Sequence, residues 1–422
     1  MGGSLSVRER QAGILALAVL AATLVALLFV SGAGGQEAPD AASSEREPAV
    51  DRGPGGAPYV SGQLLVNLEN GASGAAVEAR SLGAGARVED RLRDLDTLLL
   101  SFPRVANERG SEARERALER VRENLSRAPG VESAEYNYVR QLDFVPNDPL
   151  FDKEYGLKRP GYPKAWNKTR GKKGVRIGIV DSGIAARHPD LRGKIAAKRD
   201  FVSLSSGAND EVGHGTHVAG IAAAATNNRR GVAGGCPNCE LLVAKSVGTF
   251  GGSDAEIAKG INWSVNNGAD VVNLSLGGPQ RSATLERAVN RAWNRGAVVV
   301  AAAGNDGDAT RNYPAAYPKV IAVGATNASD RRARFSNRGR WISVTAPGVG
   351  ILSTVPGNSY ERQTGTSMAS PNVAGLAGLL ASQNRSNAQI RWLIQNTAVD
   401  LGPRGKDPYY GHGRISAARA VR

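Results

Sequence analysis

The C-terminal two thirds of the chain alternate short apolar runs with helical patterns, and this alternation limits the fold more than any other feature. Five runs are mainly apolar and have the length of a strand: residues 175–180, 241–247, 271–276, 297–303 and 320–324. Helices are predicted between them at 254–267, where Ser253 and Glu256 form a capping-box pattern, and at 283–295, which Gly296 ends. Strands that alternate with helices predict an α/β fold with a mostly parallel sheet flanked by helices on both faces.

A smaller domain is predicted ahead of this sheet, at residues 59–145. Strands are expected at 63–68, 87–92, 97–102 and 131–139, with helices at 73–82 and 111–127. In the second helix Ala113, Ala117, Val121 and Leu125 recur every fourth residue, as on the buried face of a helix. The order βαββαβ indicates a small α+β, ferredoxin-like domain. It contains no histidine or cysteine, so we do not expect catalysis there.

The first 33 residues resemble a secretory signal peptide. Arg8 and Arg10 precede an uncharged run at 12–30, and the small residues Ser31, Gly32 and Ala33 follow. The apolar run approaches membrane-spanning length, so a retained membrane anchor is the alternative. Residues 34–58 are rich in Gly, Ala, Pro, Ser and acidic side chains and are predicted to be a linker. The large domain would then occupy residues 146–422.

Composition and charge exclude several classes of protein. Two cysteines in 422 residues exclude a disulfide-framework fold. The net charge is +14, and residues 146–422 hold 37 Lys and Arg against 19 Asp and Glu, so the acidic N-terminal part precedes a basic C-terminal part. The basic side chains seldom cluster with aromatic ones, so we expect no nucleic-acid partner. Electrostatic pairing of the two parts of this chain explains the charge better.

Ser367 is a candidate nucleophile within the small-residue block 365–375. A helical run follows it to Leu380, and Pro371 is interpreted as a first-turn proline, which places Ser367 just ahead of the helix N-terminus. Unpaired N–H groups and the positive end of the helix dipole would stabilise developing negative charge there. The alternative is a structural turn into a packed Ala/Gly helix, and only partner residues can decide between the two.

His214 and Asp181 are the predicted partners of this serine. His214 lies between Gly213 and Gly215 at the start of a small-residue helix, where another backbone or a substrate can approach the imidazole closely. Asp181 follows the strand at 175–180, at the edge where parallel sheets carry functional groups. Taken alone, the first could be a helix cap and the second a turn residue. Together they give the chain order Asp…His…Ser, one of the known orders for a catalytic triad.

An oxyanion donor completes the predicted site. Asn305 follows the apolar strand at 297–303 and can direct its side-chain NH₂ group into the site, beside the backbone N–H of Ser367.

With these four residues in place, residues 146–422 resemble the subtilisin family of serine proteases, in its thermitase-like branch. The matching segments surround Asp181, His188, His214, Ser275, Asn305 and Ser367, and a closing segment at 410–415 also matches. The small domain is similar to the family's propeptides, which assist folding and inhibit the enzyme until they are cleaved. The resemblance implies that Ser367 attacks the peptide carbonyl, that His214 transfers the proton and that Asp181 orients the imidazole.

The resemblance also implies substrate and metal sites. The walls of the pocket for the side chain before the cut would be Ser275, Leu276, Gly277, Ala302, Ala303 and Gly304, which favour apolar side chains. Gly251 and Gly252 would pair with an extended substrate. A structural Ca²⁺ would be bound by Asp148, Asp190 and Asn228, with the backbone carbonyls of Ala225, Arg230 and Val232.

Three departures from the family pattern stand out in the sequence. Asn372 replaces the histidine that usually follows the proline of the serine block, so we expect an adjustment of packing or hydrogen bonding there. The second calcium loop keeps only Asp200 as an acidic residue in its first half, which places that site in doubt. Cys236 and Cys239 could form a tight disulfide, half a metal site or two free thiols, and export favours the disulfide.

The sequence therefore predicts a secreted, self-processing serine endopeptidase that acts through an acyl-enzyme. We expect a monomer whose partners are protein or peptide substrates and its own propeptide, and a membrane only if the N-terminal segment is retained. Three alternatives remain: a catalytically inactive binding module on the same fold, a metal hydrolase built on His214, His217 and the cysteines, and a basic protein that binds nucleic acid or the cell envelope.

Overall fold

A computed structural model describes residues 49–53, 56–140, 143–203 and 207–421. The predicted signal or anchor segment at 1–33 and most of the predicted linker lie outside the described residues. The chain divides into two compact units at residues 141 and 142. In the ranges that the structure describes, no helix combines the length and the apolar character needed to cross a bilayer.

The N-terminal unit has a five-stranded antiparallel sheet and its own core. Its helices are α1 (Gly74–Gly83), α2 (Pro103–Ala106) and α3 (Ser111–Ser126). The central strand β2 pairs with its neighbours β1, β4 and β5, and β3 pairs with β4. The strands are β1 (Val50–Arg52), β2 (Pro58–Leu68), β3 (Arg87–Leu92), β4 (Thr97–Ser101) and β5 (Val131–Tyr138). Tyr59, Leu64, Leu100 and Leu118 are fully buried in the core.

The order βαββαβ is present in this unit, with one addition at its start. Residues 50–52 were expected to be linker, and they instead form β1, which pairs with residues 58–60. Asp51 explains why this segment is ordered, since its carboxylate accepts hydrogen bonds from Ser61 and Arg114. Residues 50–52 and residue 58 therefore belong to the sheet and not to a linker.

The C-terminal unit is built on a seven-stranded parallel sheet. Its strand order is β12-β11-β10-β9-β6-β8-β7, and every pairing is parallel. The strands are β6 (Arg176–Asp181), β7 (Ile195–Asp200), β8 (Glu240–Lys245), β9 (Val271–Leu274), β10 (Val298–Ala302), β11 (Val320–Thr326) and β12 (Val344–Pro347). A separate antiparallel hairpin joins β13 (Ile351–Val355) and β14 (Ser359–Gln363).

Helices cover both faces of the sheet, as the alternating sequence predicts. Residues of α6 and α9 pack with one face of the sheet in the larger core cluster, and residues of α7 and α8 pack with the other. The helices are α4 (Tyr155–Lys158), α5 (Tyr162–Trp166), α6 (His214–Ala223), α7 (Asp254–Asn266), α8 (Ala283–Asn294), α9 (Thr366–Ala381), α10 (Asn387–Asn396) and α11 (Ala417–Ala420). The predicted capping box of Ser253 and Glu256 is present at the start of α7.

The start of α9 corrects one expectation. The helix begins at Thr366, so Ser367 is its second residue and does not precede the helix. Pro371 consequently lies inside the helix, in its second turn, and not at the first helical position. Proline has no N–H group, so the helix lacks one of its internal hydrogen bonds at this point.

Candidate active site

The predicted site residues meet at the carboxyl edge of the parallel sheet. Asp181 is the last residue of β6, Ser275 directly follows β9, and Asn305 lies three residues after β10. Two helices begin beside them, α6 at His214 and α9 at Thr366. Parallel strands bring their carboxyl ends to one edge, so residues distant in sequence lie together there.

Asp181 and His214 form a direct pair. His214 Nδ1 lies 2.7 Å from Asp181 Oδ1, and the backbone N–H of Ser182 donates to the same oxygen at 2.7 Å. The Asp181 side chain is 3% exposed, whereas 30% of the His214 side chain is open to solvent. Gly215 permits this approach, because a Cβ atom at that position would lie 2.4 Å from the carbonyl oxygen of Gly183. The pair is therefore anchored on the acid side and accessible on the imidazole side.

The charge of Asp181 raises the pKa of His214 above its usual range, and this effect outweighs burial of the ring, which lowers it. The other histidine of the same helix behaves differently. His217 is buried, its Nε2 contacts the carbonyl oxygen of Glu361, and burial lowers its pKa to about 4. His217 is therefore a neutral, structural residue near pH 7.

Asp210 connects the segments that carry Asp181 and His214, and it was not predicted from the sequence. Its buried carboxylate accepts hydrogen bonds from the Ser182 hydroxyl at 2.8 Å and from the Thr216 backbone N–H at 2.8 Å. The Gly215 N–H donates to the Ser182 hydroxyl at 2.9 Å. Asp210 therefore joins the turn after β6 to the first turn of α6. Its position four residues before His214 was the available signal.

Ser367 is held against the end of β9. Its hydroxyl donates to the carbonyl oxygen of Ser275 at 3.1 Å, and the Ser275 hydroxyl donates to the carbonyl oxygen of Ser367 at 2.9 Å. The described part of the chain has no direct hydrogen bond between the Ser367 hydroxyl and His214. Helix α9 nevertheless packs against α6, so Ser367 and His214 lie on adjoining helices.

Two free hydrogen-bond donors flank the approach to Ser367. Asn305 Oδ1 accepts from the backbone N–H and the hydroxyl of Thr366, both at 2.9 Å, which leaves the Asn305 NH₂ group without an acceptor among the described residues. The Ser367 N–H, in the first turn of α9, also has no acceptor there. A Cβ atom placed on Gly365 would lie 3.6 Å from Asn305 Nδ2 and 3.7 Å from Ser367 N. Both donors therefore face one small space, as an oxyanion site requires.

A cleft extends from these donors along the sheet edge. One part, of about 360 Å³, is lined by Ser367, Asn305, Ala302 and Gly304 among others. A second part, of about 400 Å³, is lined by Gly251, Gly252, Ile257 and Leu285 among others. Leu276, Gly277 and Gly278 line both parts.

Two of the predicted pocket residues do not line the cleft. Ala303 is fully buried and lines neither part of the cleft. Ser275 lies behind the wall, where its side chain contacts Ser367. Asn312 is a lining residue that the sequence analysis missed; its side chain donates to the Ala302 carbonyl at 3.1 Å.

A second group of buried carboxylates lies in the predicted calcium region. We name Asp148, Asp190 and Asn228 the carboxylate network. Asp148 accepts from the N–H groups of Asn227 and Asn228 at 2.7 and 3.1 Å, and Asn228 Nδ2 donates to Asp190 at 2.8 Å. Burial raises the pKa of Asp148, and the nearby charge of Asp190 adds to the shift.

Backbone groups complete this network. The Val232 N–H donates to Asp190 Oδ2 at 3.0 Å, the Arg230 N–H donates to Asn228 Oδ1 at 2.8 Å, and the Ala225 N–H donates to the Asp190 carbonyl at 2.8 Å. All six predicted calcium residues therefore belong to one connected set. Among the residues described, no three His, Cys, Asp or Glu side chains come together as metal ligands. A cation here would have to be bound by two carboxylates, one amide and carbonyl oxygens.

The cysteines form a disulfide between Cys236 and Cys239, both fully buried. Their sulfurs are therefore unavailable to a metal ion, and the alternative of a zinc site with His214 and His217 loses two of its four ligands.

Asn372, at the position where a histidine is usual, is held by two hydrogen bonds. Its Nδ2 donates to the carbonyl oxygen of Gly156 at 2.7 Å, and its own carbonyl accepts from the Tyr162 hydroxyl. Its Oδ1 is buried without a partner in the described structure. Asn372 and Glu154 line a cavity of about 10 Å³, which is close to the space that one water molecule needs.

Comparison with known sequences covers both units. The profile of the subtilase family matches residues 172–413. The profile of the fervidolysin N-terminal prodomain matches residues 45–137. The second match begins ahead of β1, in agreement with the ordered segment at 50–52.

Individual relatives agree with these profiles. The thermophilic serine proteinase of Bacillus sp. (strain AK1) is 43% identical over 368 residues, which cover 86% of this chain and 88% of that protein. Thermitase from Thermoactinomyces vulgaris is 46% identical over 280 residues, 66% of this chain and 99% of that protein. Among solved structures, a protease from Pseudoalteromonas arctica PAMC 21717 aligns with a TM-score of 0.61 and 33% identity, over 66% of this chain and 99% of that chain. The chain therefore belongs to the subtilase family of serine peptidases, and it carries an N-terminal prodomain.

Proposed function

We propose that this subtilase is a secreted, self-processing endopeptidase whose chemistry is carried by Ser367, His214, Asp181 and Asn305. The single observation that carries the proposal is the meeting of three features at one sheet edge. These are the His214–Asp181 pair at 2.7 Å, the Ser367 hydroxyl, and two donors that have no acceptor within the described ranges. A nucleophile, a base with its orienting acid and an oxyanion site are the parts that acyl transfer needs.

The reaction begins when the Ser367 hydroxyl turns from the Ser275 carbonyl towards His214. His214 accepts its proton as Oγ attacks the scissile carbonyl, and Asp181 stabilises the imidazolium that forms. The carbonyl oxygen becomes an oxyanion and accepts hydrogen bonds from the Asn305 NH₂ group and the Ser367 N–H. His214 then donates the proton to the leaving amine, which leaves an acyl-enzyme at Ser367. Water then attacks the acyl carbon while His214 accepts its proton. His214 returns the proton to Ser367 Oγ as the bond between Oγ and the acyl group breaks.

The cleft supports a preference for apolar residues before the cut. Leu276 and Ala302 give it apolar walls, and Gly277 and Gly304 leave room for a large side chain. The charged residue among those that line this part is Asp306, so an acidic side chain finds no partner on these walls and would lose hydration. Gly251 and Gly252 line the second part of the cleft. The N–H and carbonyl groups of Gly251 already pair with Gly248, so Gly252 is the residue proposed to offer backbone groups to an extended peptide.

The carboxylate network is the proposed calcium site. Asp148, Asp190 and Asn228, with the carbonyls of Ala225, Arg230 and Val232, supply only oxygen ligands, the kind that calcium prefers. Asp190 is fully buried, so a bound dication would offset the cost of burying two carboxylates close together. When bound, the ion would hold the segment before α4 to the loop after α6. Its role is therefore structural.

The N-terminal unit is proposed to act as an inhibitory propeptide that the enzyme removes. The match to a prodomain profile supports this role. Self-cleavage would fall between Val139 and Asp148, after the last strand of the N-terminal unit and before the peptidase domain, which we propose spans residues 146–422. The signal-like segment at 1–33 would direct export, and its retention would instead tether the enzyme to the outer face of the cell membrane.

Parallel incubation of the full chain and its Ser367→Ala variant tests the proposal. We expect the wild-type chain to shorten to a product that begins between residues 140 and 148, and to react with a fluorophosphonate probe at Ser367. The variant should remain full-length and unlabelled. N-terminal sequencing of the products locates the propeptide cut and any removal of the signal-like segment. Equal processing of both chains would refute self-cleavage, and a folded wild-type protein that resists labelling would favour an inactive binding module.

A further inference from the structure

The carbonyl of Ser367 lacks its ordinary helical partner. In an α-helix the carbonyl of residue i accepts from the N–H of residue i+4, which for Ser367 is Pro371. Because proline has no N–H group, helix α9 lacks the i+4 hydrogen bond to this carbonyl. The residue that carries the nucleophile therefore depends on a donor from another element to hold its backbone in place.

A buried polar chain from β9 supplies that donor. The Ser275 hydroxyl donates to the Ser367 carbonyl at 2.9 Å, Asn273 Nδ2 donates to Ser275 Oγ at 2.9 Å, and the Ser370 hydroxyl donates to Asn273 Oδ1 at 2.7 Å. Asn273 and Ser370 are fully buried and Ser275 is 4% exposed. The chain starts and ends on α9, so it clamps the first turns of this helix to the strand.

The chemistry of the groups sets the direction of every hydrogen bond in this chain. A carbonyl group only accepts, so the Ser275 hydroxyl must be the donor in its hydrogen bond with the Ser367 carbonyl. Ser275 Oγ must then accept from Asn273, which requires the NH₂ group on that side and the amide oxygen towards Ser370. Asn273 thus keeps the Ser275 proton directed at the Ser367 carbonyl.

We propose that Asn273 is a positioning residue for the nucleophile, acting through Ser275 on the backbone of Ser367. The proposal rests on the assignment of Ser367 as the nucleophile. An asparagine in the middle of a fully buried strand, where the neighbours Val271, Val272 and Leu274 are apolar, then has a purpose beyond packing. The network holds the Ser367 amide beside Asn305 without contacting substrate itself.

Asn273→Asp is the sharpest test, because aspartate has nearly the shape of asparagine but changes the direction of the hydrogen bonds in the chain. An ionised carboxylate cannot donate, so the Ser275 proton turns towards it and leaves the Ser367 carbonyl unpaired. A protonated carboxyl group has one donor and one acceptor and restores the original chain. The ratio of variant to wild-type activity should therefore rise as the pH falls and the buried carboxyl group takes up its proton.

The experiment compares Asn273→Asp, Ser275→Ala and Ser264→Ala with the wild type, each made as the full chain. Ser264 is a matched control: it is equally buried, but its hydroxyl donates within α7 to Gly260 at 2.9 Å. Slow variants are processed by a trace of wild-type enzyme, whose activity is subtracted. For Ser275→Ala we expect the rate of labelling by a fluorophosphonate and kcat to fall roughly two- to tenfold, the effect of one hydrogen bond, with KM unchanged.

For Asn273→Asp we expect roughly a tenfold or larger loss at neutral pH, because a buried group is also left mispaired. Partial recovery should follow at acidic pH relative to the wild type, and Ser264→Ala should match the wild type throughout. A pH-independent ratio for Asn273→Asp, or wild-type kcat in Ser275→Ala, would overturn the positioning role. Labelling that persists in Ser367→Ala would instead refute the proposed nucleophile, so the two failures are distinguishable.

Discussion

Asp181 and Asp190 are two buried carboxylates of the same unit, and within the described structure neither has a lysine or arginine partner. Asp181 shares its Oδ1 between a backbone N–H and an imidazole that is partly open to the cleft. Asp190 receives its hydrogen bonds from a backbone N–H, an amide and the Tyr360 hydroxyl.

The difference lies in what each partner can do. An imidazole can take up a proton near neutral pH, so the charge of Asp181 can stabilise a state that exists only during the reaction. The amide, N–H and hydroxyl donors around Asp190 carry no positive charge, so a cation is left to balance the carboxylates of the proposed calcium site. On the proposed roles, a buried carboxylate serves catalysis in one region and stability in the other.

The largest effect should follow from Asp181→Asn. The amide would favour the wrong tautomer of His214, and we expect kcat to fall roughly 10⁴-fold, the loss known for the same change in another serine-protease triad. Hydrolysis of a chromogenic peptide by titrated enzyme measures it. Asp270→Asn is the matched control, since Asp270 accepts from the Arg176 N–H at the opposite edge of the sheet. A loss below about tenfold in Asp181→Asn would show that the pair is structural.

Asn305→Ala should come next. Removal of one oxyanion donor costs roughly 10²- to 10³-fold in kcat, a value known from subtilisin, a relative of this chain. We expect KM to change little, because the donor acts on charge that develops only in the transition state. Asn305→Asp keeps the size of the side chain and should be at least as damaging. A raised KM with an unchanged kcat would place Asn305 in ground-state binding instead.

Asp190→Asn should affect stability instead of chemistry. Calcium at 100 times its dissociation constant would stabilise the folded protein by about 2.7 kcal/mol. Thermal unfolding with calcium or a chelator, in a Ser367→Ala background that prevents self-digestion, measures this gain. The gain should disappear in Asp190→Asn and persist in Asp152→Asn, which changes an exposed carboxylate nearby. An unchanged calcium response in Asp190→Asn would exclude the carboxylate network as the binding site.

The smallest effect concerns pH. Because Asp181 raises the pKa of His214, the acidic limb of kcat/KM should have its midpoint above the ordinary histidine value of about 6.5. The protonated pair should also add to folding stability below that ordinary value, and this contribution is lost as the pH rises through the raised pKa. Kinetics at constant ionic strength measure the limb. A midpoint below 6.5 would mean that burial of the ring outweighs the charge of Asp181.

Much of the sheet was predictable because its strands are apolar on both faces. The strands at Arg176–Asp181, Val298–Ala302 and Val320–Thr326 begin and end within two residues of the predicted runs. The edge strand Ile195–Asp200 was not predicted, because it carries Lys198 and Arg199 and has exposed positions. The hairpin with Ser359–Gln363 was missed for the same reason.

The site residues were predictable only where a distinctive local motif surrounds them. The surroundings of Asp181, His214 and Ser367 are distinctive over a few residues each. Asn273 was not singled out in the sequence, because its partner Ser370 lies 97 positions away and no local motif connects the two. The carboxylate network was reached only through the family resemblance, because Asp148 and Asn228 have no local pattern.

The strand order of the sheet has a consequence for how the active site comes into being. Ile177 pairs with Val271, 94 positions later, and every pairing in this sheet needs a crossover because all its strands are parallel. Pairings between distant segments form slowly, since the chain entropy of a long loop is lost before the contact is gained. Asp181, Ser275 and Asn305 lie at the ends of three such strands. We therefore expect the active site to form late in folding, and a chain that ends before residue 367 lacks the proposed nucleophile.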